Sequence, residues 1–250
     1  MEKLLIWVMN IGEEMLICGA EVRRVEESIR RMCTAFGAVR TDVFIITSSM
    51  VVTVSTADGE IFTQTRRVTS SSPDFEKLHR LNQLSRKICA EKLSVEEIEK
   101  NFNAAVNCRT YPFWLECICY AVIAGAFTLF FGGNIRDTAV SLLAGAAVRF
   151  VILLSEKTVY SKIFSKFLSA ATATLLAYFA LKLNIIADVD KVIIGNIMSL
   201  IPGIGLTNAL RDLFTGDSIA GLLRSIEAVL TALAIAAGYF MVAVMGGILL

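Results

Sequence analysis

The chain has 250 residues, 55% of them hydrophobic, with a mean hydropathy of +0.64 and a formal net charge of +1. That balance gives no electrostatic argument for nucleic acid, and the hydropathy is high for a wholly soluble protein. Charge is unevenly placed: residues 1–110 hold 15 Lys+Arg and 15 Asp+Glu and the other 140 only 9 and 8, so a charged front part leads into an apolar rear part.

Leu4, Val8, Ile11, Met15 and Cys18 recur at three- and four-residue steps, the signature of an amphipathic helix. Met1-Glu2-Lys3 leads straight into that segment rather than into a continuous apolar core, so the front part is expected to stay in the cytosol. Gly19 interrupts the helix, and Val22, Val25, Ile29, Met32 or Cys33, and Phe36 carry a second one, with Gly37 placed to cap it. The polar face of this second helix holds Glu21, Arg23, Arg24, Glu26, Glu27, Arg30 and Arg31. Two readings fit that face: solvated ion pairs at i,i+3 and i,i+4 spacing, or a site built on Glu21, Arg24 and Glu26. From Thr41 the period becomes strand-like, with Val43–Ile46, Met50–Thr56 and Glu60–Val68 as three strands and Asp58-Gly59 as a hairpin turn. Thr69–Pro73 reads as a loop. Ser72 before Pro73 then starts a helix marked by Phe75, Leu78, Leu81, Ser85 and Ile88, and the capping box Ser94-Val95-Glu96-Glu97 starts another. These pieces predict a small α+β cytosolic domain over residues 1–107.

No catalytic constellation stands out in that domain. His79 is the single histidine of the chain, so no histidine partner exists for a metal site. Cys117 and Cys119, two residues apart on a helix, point to different faces. The six cysteines fit reduced, mostly buried thiols better than a disulfide framework. No glycine-rich phosphate loop is present. The reading is therefore of no cofactor and no enzyme, and any active transport would draw on an ion gradient or the membrane potential.

Residues 108–250 read as an all-α membrane domain of about five spans: 113–131, 135–154, 164–183, 189–206 and 221–250, each near the roughly 20 residues a crossing needs except the last, which has length to spare. Alternating from a cytosolic front, the inner loops carry Lys157, Lys162, Lys166, Arg211 and Arg224 and the outer ones Arg136, Lys182 and Lys191. That agrees with the positive-inside rule and puts the C-terminus outside. Ionisable groups near the membrane usually face a bundle interior or a cavity, and here they are Glu116, Arg149, Arg211, Asp212, Arg224 and Glu227. Arg224 and Glu227, one turn apart, are placed to neutralise each other. Arg149 has no partner within its own turn, which fits either a buried structural pair or a counter-charge to a substrate.

The stretch from Ile201 to Asp212 ties these features together. Pro202 cannot donate a helical hydrogen bond, and Gly203 and Gly205 add flexibility, so the fourth span should break here. Thr207, Asn208, Arg211 and Asp212 follow at once. Broken membrane helices beside polar residues build solute sites in transporters, whereas the plainer reading is a helix end running into a polar loop.

Two segments resemble a known family. Ile11 to Glu27, containing Gly19-Ala20-Glu21 and Arg24-Val25-Glu26, is similar to the opening motif of the threonine/serine exporters. Pro202-Gly203, Thr207-Asn208 and Arg211-Asp212, continuing to Gly216-Asp217, Gly221 and Arg224, resemble that family's second signature. The resemblance covers essentially the whole chain. It implies a cytosolic N-terminal domain, membrane helices behind it, and export of small polar metabolites through the inner membrane. The length is similar to the larger subunit of the split members, which are linked to export of dicarboxylates such as succinate, so the implied substrate is either an amino acid of the threonine/serine type or a dicarboxylate. A smaller companion subunit is the implied partner in the bilayer. The spans show no internal repeat, which calls for a second surface to close a cavity; a homo-oligomer, which could enclose a pore by symmetry, is the alternative to the companion. The competing function is a membrane-anchored enzyme or ligand sensor whose front domain acts on a cytosolic small molecule.

Overall fold

A computed structural model describes residues 1–69, 71–108, 111–158 and 161–249. Ser70 of the expected loop and Leu250 at the end of the last expected span lie outside the described residues. The protein is mostly helical with one small antiparallel sheet, and it divides into two compact units: Met1–Arg109 with Ile204–Ser225, and Thr110–Gly203 with Ile226–Leu250.

In the first unit the helices α1 (Glu2–Ile17) and α2 (Val22–Ala35) follow the apolar periods of the sequence and bury Val8, Ile11, Met15, Val25, Ile29 and Met32. Strands β1 (Ala38–Ile46), β2 (Ser49–Thr56) and β3 (Ile61–Arg67) pair in order. Met50, Val52 and Val54 of β2 alternate into the core, and Gly59, at φ +81°, makes the second turn. Gly12 shows how close the layers lie: a Cβ there would stand 2.8 Å from Ile29 Cδ1 and 3.0 Å from Met50 Cε. Helix α3 (Phe75–Glu91) starts later than the Ser72-Pro73 signal predicts. Its cap is Asp74, whose carboxylate accepts from Lys77 N at 2.9 Å, because an aspartate next to the first helical residue competes better than a serine two positions upstream. Phe75, expected on the apolar stripe, is exposed, while Leu84 takes a buried place beside Ser85. Helix α4 (Val95–Val106) opens with the full Ser94/Glu97 capping box.

The second unit is built from α5 (Phe113–Phe130), α6 (Ile135–Thr158), α7 (Lys162–Lys182), the short α8 (Val189–Ile197) and most of α10 (Ser218–Leu249). Among the described residues four helices are long and apolar enough to cross a membrane: Phe113–Phe130, Ile135–Ser155, Lys162–Lys182 and Ser218–Gly246. The expectation of five such helices is therefore not met. Residues 189–206 form no single helix: α8 stops at Ile197, Met198–Pro202 is non-helical, and α9 (Gly203–Phe214) belongs to the first unit. The missing N–H of Pro202 accounts for a break, and the break opens a full turn ahead of it. Within the bundle the packing uses small residues: Ser169, Ala170, Ala173, Thr174, Ala177 and Ala180 are buried along α7, and Gly238 of α10 meets the α7 backbone at Phe167 and Ala171.

Candidate functional site

The site begins with a tight turn. Helix α1 ends with Gly19 in the left-handed region at φ +91°, where Gly19 N donates to Leu16 O and Ala20 N to Met15 O. This ending leaves the carbonyls of Gly19 and Ala20 pointing away from α1 with no helical donor. Helix α2 begins immediately after, and its N-cap residue Glu21 makes no side-chain cap bond. Two carbonyls and a helix N-terminus thus stand together with their backbone groups unmet locally.

Residues 189 to 204 positions further along the chain meet them. Asn208 Nδ2 donates to Gly19 O at 3.2 Å, Arg224 Nη2 donates to Ala20 O at 2.8 Å, and Arg211 Nη1 donates to Glu21 Oε1. The Asp212 carboxylate accepts from Val22 N–H, so it supplies the cap that Glu21 does not. Arg224 Nη1 also lies 3.1 Å from Asp212 Oδ2, as an ion pair without hydrogen-bond alignment. Asp212 is 1% exposed. The partners are held by a helical hairpin in which α9 turns into α10 through Gly216 at φ +95°, with Asp217 N donating to Asp212 O at 2.9 Å. Gly221 lets the two arms close: a Cβ there would stand 2.8 Å from Leu213 N and 2.9 Å from Ala209 O.

Burial raises the Asp212 carboxyl above its ordinary value, Arg224 opposes that shift, and Asp217 and Glu21 add to it. Glu26 is raised for the same first reason, desolvation, and next by Asp217. Asp212 is thus held against Arg224 and Glu21 against Arg211, with Asp217 acting on both Asp212 and Glu26. The magnitudes separate the two arginines. Arg224–Asp212 is buried, so losing one partner strands a charge, at a cost of about 3–5 kcal/mol. Arg211 is 61% exposed in its pair with Glu21, so that contact is worth less than about 1 kcal/mol in stability.

The structure thus brings Gly19, Ala20 and Glu21 together with Asn208, Arg211, Asp212 and Arg224. Thr207 and Gly203 lie on α9, exposed, and Pro202 precedes it. None of 203–212 is a polar loop; the polar residues sit on a helix, where Asn208 and Asp212 bond to backbone groups and Arg211 to the Glu21 carboxylate. Arg24 and Glu26 of the first motif are not part of this clasp. Glu26 is half-buried and 4.0 Å from Arg30, and Arg24 is exposed. Glu227 is exposed and does not neutralise Arg224, because Asp212 has taken that guanidinium. Arg149 lies in the second unit, where Nε and Nη2 donate to Glu116 Oε2 at 2.9 and 2.5 Å and the guanidinium faces the Phe113 and Tyr120 rings. It is a paired residue, one of the two alternatives its sequence position left open. Among the described residues no cluster of three metal-ligating side chains occurs.

One polar group escaped the sequence reading. Inside the second unit Thr128 Oγ1 donates to Ser141 Oγ at 2.7 Å and Asn196 Nδ2 donates to the same oxygen at 2.9 Å, all three residues fully or almost fully buried. Their signal in the sequence is that Thr128, Ser141 and Asn196 interrupt apolar runs, but neutral side chains there carry no charge to mark them.

The family model described as "Putative threonine/serine exporter" matches residues 7–246, which takes in both halves of the clasp. The chain belongs to the threonine/serine exporter family. It is similar to the probable succinate transporter subunit YjjP of Klebsiella aerogenes, at 25% identity over 92% of this chain and 89% of that protein. It is similar to YjjP of Escherichia coli K12, also at 25%, over 96% of this chain and 93% of that one. A probable threonine/serine exporter of Mycobacterium tuberculosis is 23% identical over 89% of this chain but only 42% of its own length. No solved structure matches the chain. Membership in this exporter family gives the chain a membrane transport function, and the two segments that carried the resemblance are the two that the structure joins.

Proposed function

We propose that this exporter-family chain is one subunit of a secondary exporter for small polar metabolites, with a small dicarboxylate as first candidate and a threonine- or serine-type amino acid as second. The dicarboxylate takes precedence because the two succinate transporter subunits match over most of their length, as a chain of the same size should. The observation that carries the reading is the clasp itself. Asn208, Arg211, Asp212 and Arg224 fix the start of α2 to the helix that follows the broken segment 198–202, so the front domain is bonded to the chain at the point where a membrane passage is interrupted. An anchor for an enzyme needs no such arrangement.

The same bonds bear on topology. Residues 1–109 and 204–225 form one body and so share one side of the membrane. Between them the chain has to cross an even number of times, and α5, α6 and α7 supply three. The fourth crossing falls to α8, about 14 Å of helix at 1.5 Å per residue, together with the non-helical residues after it. Unsatisfied backbone of that kind is tolerated in a membrane only where protein or a water-filled cavity meets it, which is the setting of a solute pathway. With α10 as the fifth crossing, the front domain over 1–107 and the returning segment 204–225 are cytosolic, the rest of 108–250 carries the membrane crossings, and the C-terminus is outside the inner membrane. Exposed Leu206, Leu210 and Phe214 at four-residue steps make one side of α9 apolar, as suits a helix lying at the membrane surface.

A companion subunit of the same family completes the pathway in this reading, since five crossings without a repeat offer no second half to close a cavity. The test is efflux from loaded vesicles holding the purified chain with and without the companion, against a panel of dicarboxylates and amino acids. Efflux of one class only in the two-subunit vesicles supports the proposal. Full-rate efflux from the chain alone would replace the hetero-oligomer by a homo-oligomer, and no efflux of any solute in either preparation would remove the exporter reading.

A further inference from the structure

Arg24 belongs to the first motif yet takes no part in the clasp, and its surroundings show a different use. Between α2 and α3, within the first unit, lies a cleft of about 400 Å³. Its walls carry three guanidiniums, Arg24, Arg31 and Arg86, against one carboxylate, Glu27, a surplus of two positive charges. Glu27 is already committed, accepting from Arg31 Nη2 at 2.5 Å. Among the described residues no carboxylate pairs with the Arg24 or Arg86 side chain. The two lie on facing helices, which gives the cleft an open guanidinium on each wall. Asn82 spends one amide N–H on Leu78 O at 2.8 Å, which leaves its second N–H and its oxygen for a ligand. The thiol of Cys89 lines the same space and is partly exposed.

Guanidinium forks match carboxylate and phosphate oxygens in pairs, and two unneutralised forks across one cleft suit a ligand with two negative charges better than one with a single charge. The volume falls at the small end of ordinary small-molecule sites, roughly 300–1,000 Å³, so the ligand is compact. From this geometry we propose that the α2–α3 cleft is a binding site for a compact cytosolic dianion, bridged by Arg24 and Arg86, separate from the clasp and from the membrane pathway.

Alkylation of Cys89 by N-ethylmaleimide, followed by peptide mass on the full-length protein in detergent, reads the cleft directly. Cys18 and Cys33 serve as silent internal controls: both are buried, which pushes their thiols up to about 11 and about 12, whereas Cys89, raised by the same cause, is partly exposed and within reach of the reagent. Succinate and inorganic phosphate are tested separately, with acetate and threonine as controls. Saturable protection of Cys89 by either dianion, and none by acetate or threonine, is the expected result; which dianion protects tells a dicarboxylate ligand from free phosphate. Arg24→Gln and Arg86→Gln, exposed positions that leave the core alone, each raise the half-protecting concentration roughly tenfold. Asp212→Asn leaves protection unchanged whatever it does to efflux, so loss of the clasp and loss of the cleft are read separately. Protection by neither dianion, equal protection by acetate, or an unchanged half-protecting concentration in the Arg24→Gln/Arg86→Gln double variant would overturn the proposal.

Discussion

Asp212 and Arg224 are where a single side chain decides most. Arg224→Gln leaves the Asp212 carboxylate buried without its counter-ion and should destabilise the protein by about 3–5 kcal/mol, seen as a large fall in the unfolding temperature in detergent. Arg211→Gln should change that temperature little, because its pair with Glu21 is largely solvated, and any loss of efflux there is then functional. Asp212 also makes the stability depend on pH. Its folded pKa is raised above the unfolded value, chiefly by burial, so its contribution is fully present below the ordinary aspartate value near about 3.9 and is lost as pH rises through the raised one. Against Asp212→Asn, which cannot titrate, the wild type should therefore gain stability on acidification through that window. A difference that stays flat, or that shrinks in the acid direction, would contradict the raised carboxyl. Sequence position singled out Asn208, Arg211, Asp212 and Arg224 as candidates, but not what they bond to. Three of them bond to backbone groups, the carbonyls of Gly19 and Ala20 and the N–H of Val22, which look the same in every sequence; Arg211 instead takes a side chain, Glu21, as its partner.

Helices and strands with one buried face were readable from their periods, and α1, α2, α4 and the hairpin at Asp58-Gly59 follow them. The errors sit where local chemistry competes with periodicity. Asp74 outbid Ser72 as a cap, and residues 189–206, apolar enough in composition for a span, end as helix at Ile197 because Pro202 denies the chain a continuous ladder. Close approach explains which glycines are fixed. A Cβ at Gly195 would stand 2.8 Å from Ala124 O and 2.9 Å from Thr128 N, and one at Gly221 would meet Leu213 and Ala209 just as closely. Gly195→Ala and Gly221→Ala should each cost about 1–3 kcal/mol by forcing helices apart. Gly203→Ala, with nothing within 4 Å of the added carbon, should be close to neutral. Thermal unfolding of the three purified variants checks the ranking, and a Gly203→Ala protein as damaged as Gly195→Ala would contradict the packing at α8 and α5.

At the scale of the whole molecule, two distant segments of one chain are closed into one unit by four side chains. The split into a charged front and an apolar rear was plain in the composition, whereas the return of 204–225 to the front unit was not, since it depends on contacts some 190 positions apart. A fusion of a cytosol-active reporter to the C-terminus should stay silent if α8 and the segment after it complete a fourth crossing; strong activity would mean that the chain ends in the cytosol. The claim on which the rest depends is that the clasp has to be made for solute to leave. The Glu21–Arg211 pair, with Arg211 exposed and Glu21 half-buried at the edge of the clasp, allows it to be broken and remade while leaving the buried Arg224–Asp212 pair in place. Efflux rates from vesicles with the wild type, Glu21→Arg, Arg211→Glu and the double exchange measure it in one experiment. Both single variants should lose most of the wild-type rate and the double exchange should recover it; a double exchange as slow as the singles, or singles as fast as the wild type, would contradict the role given to the clasp.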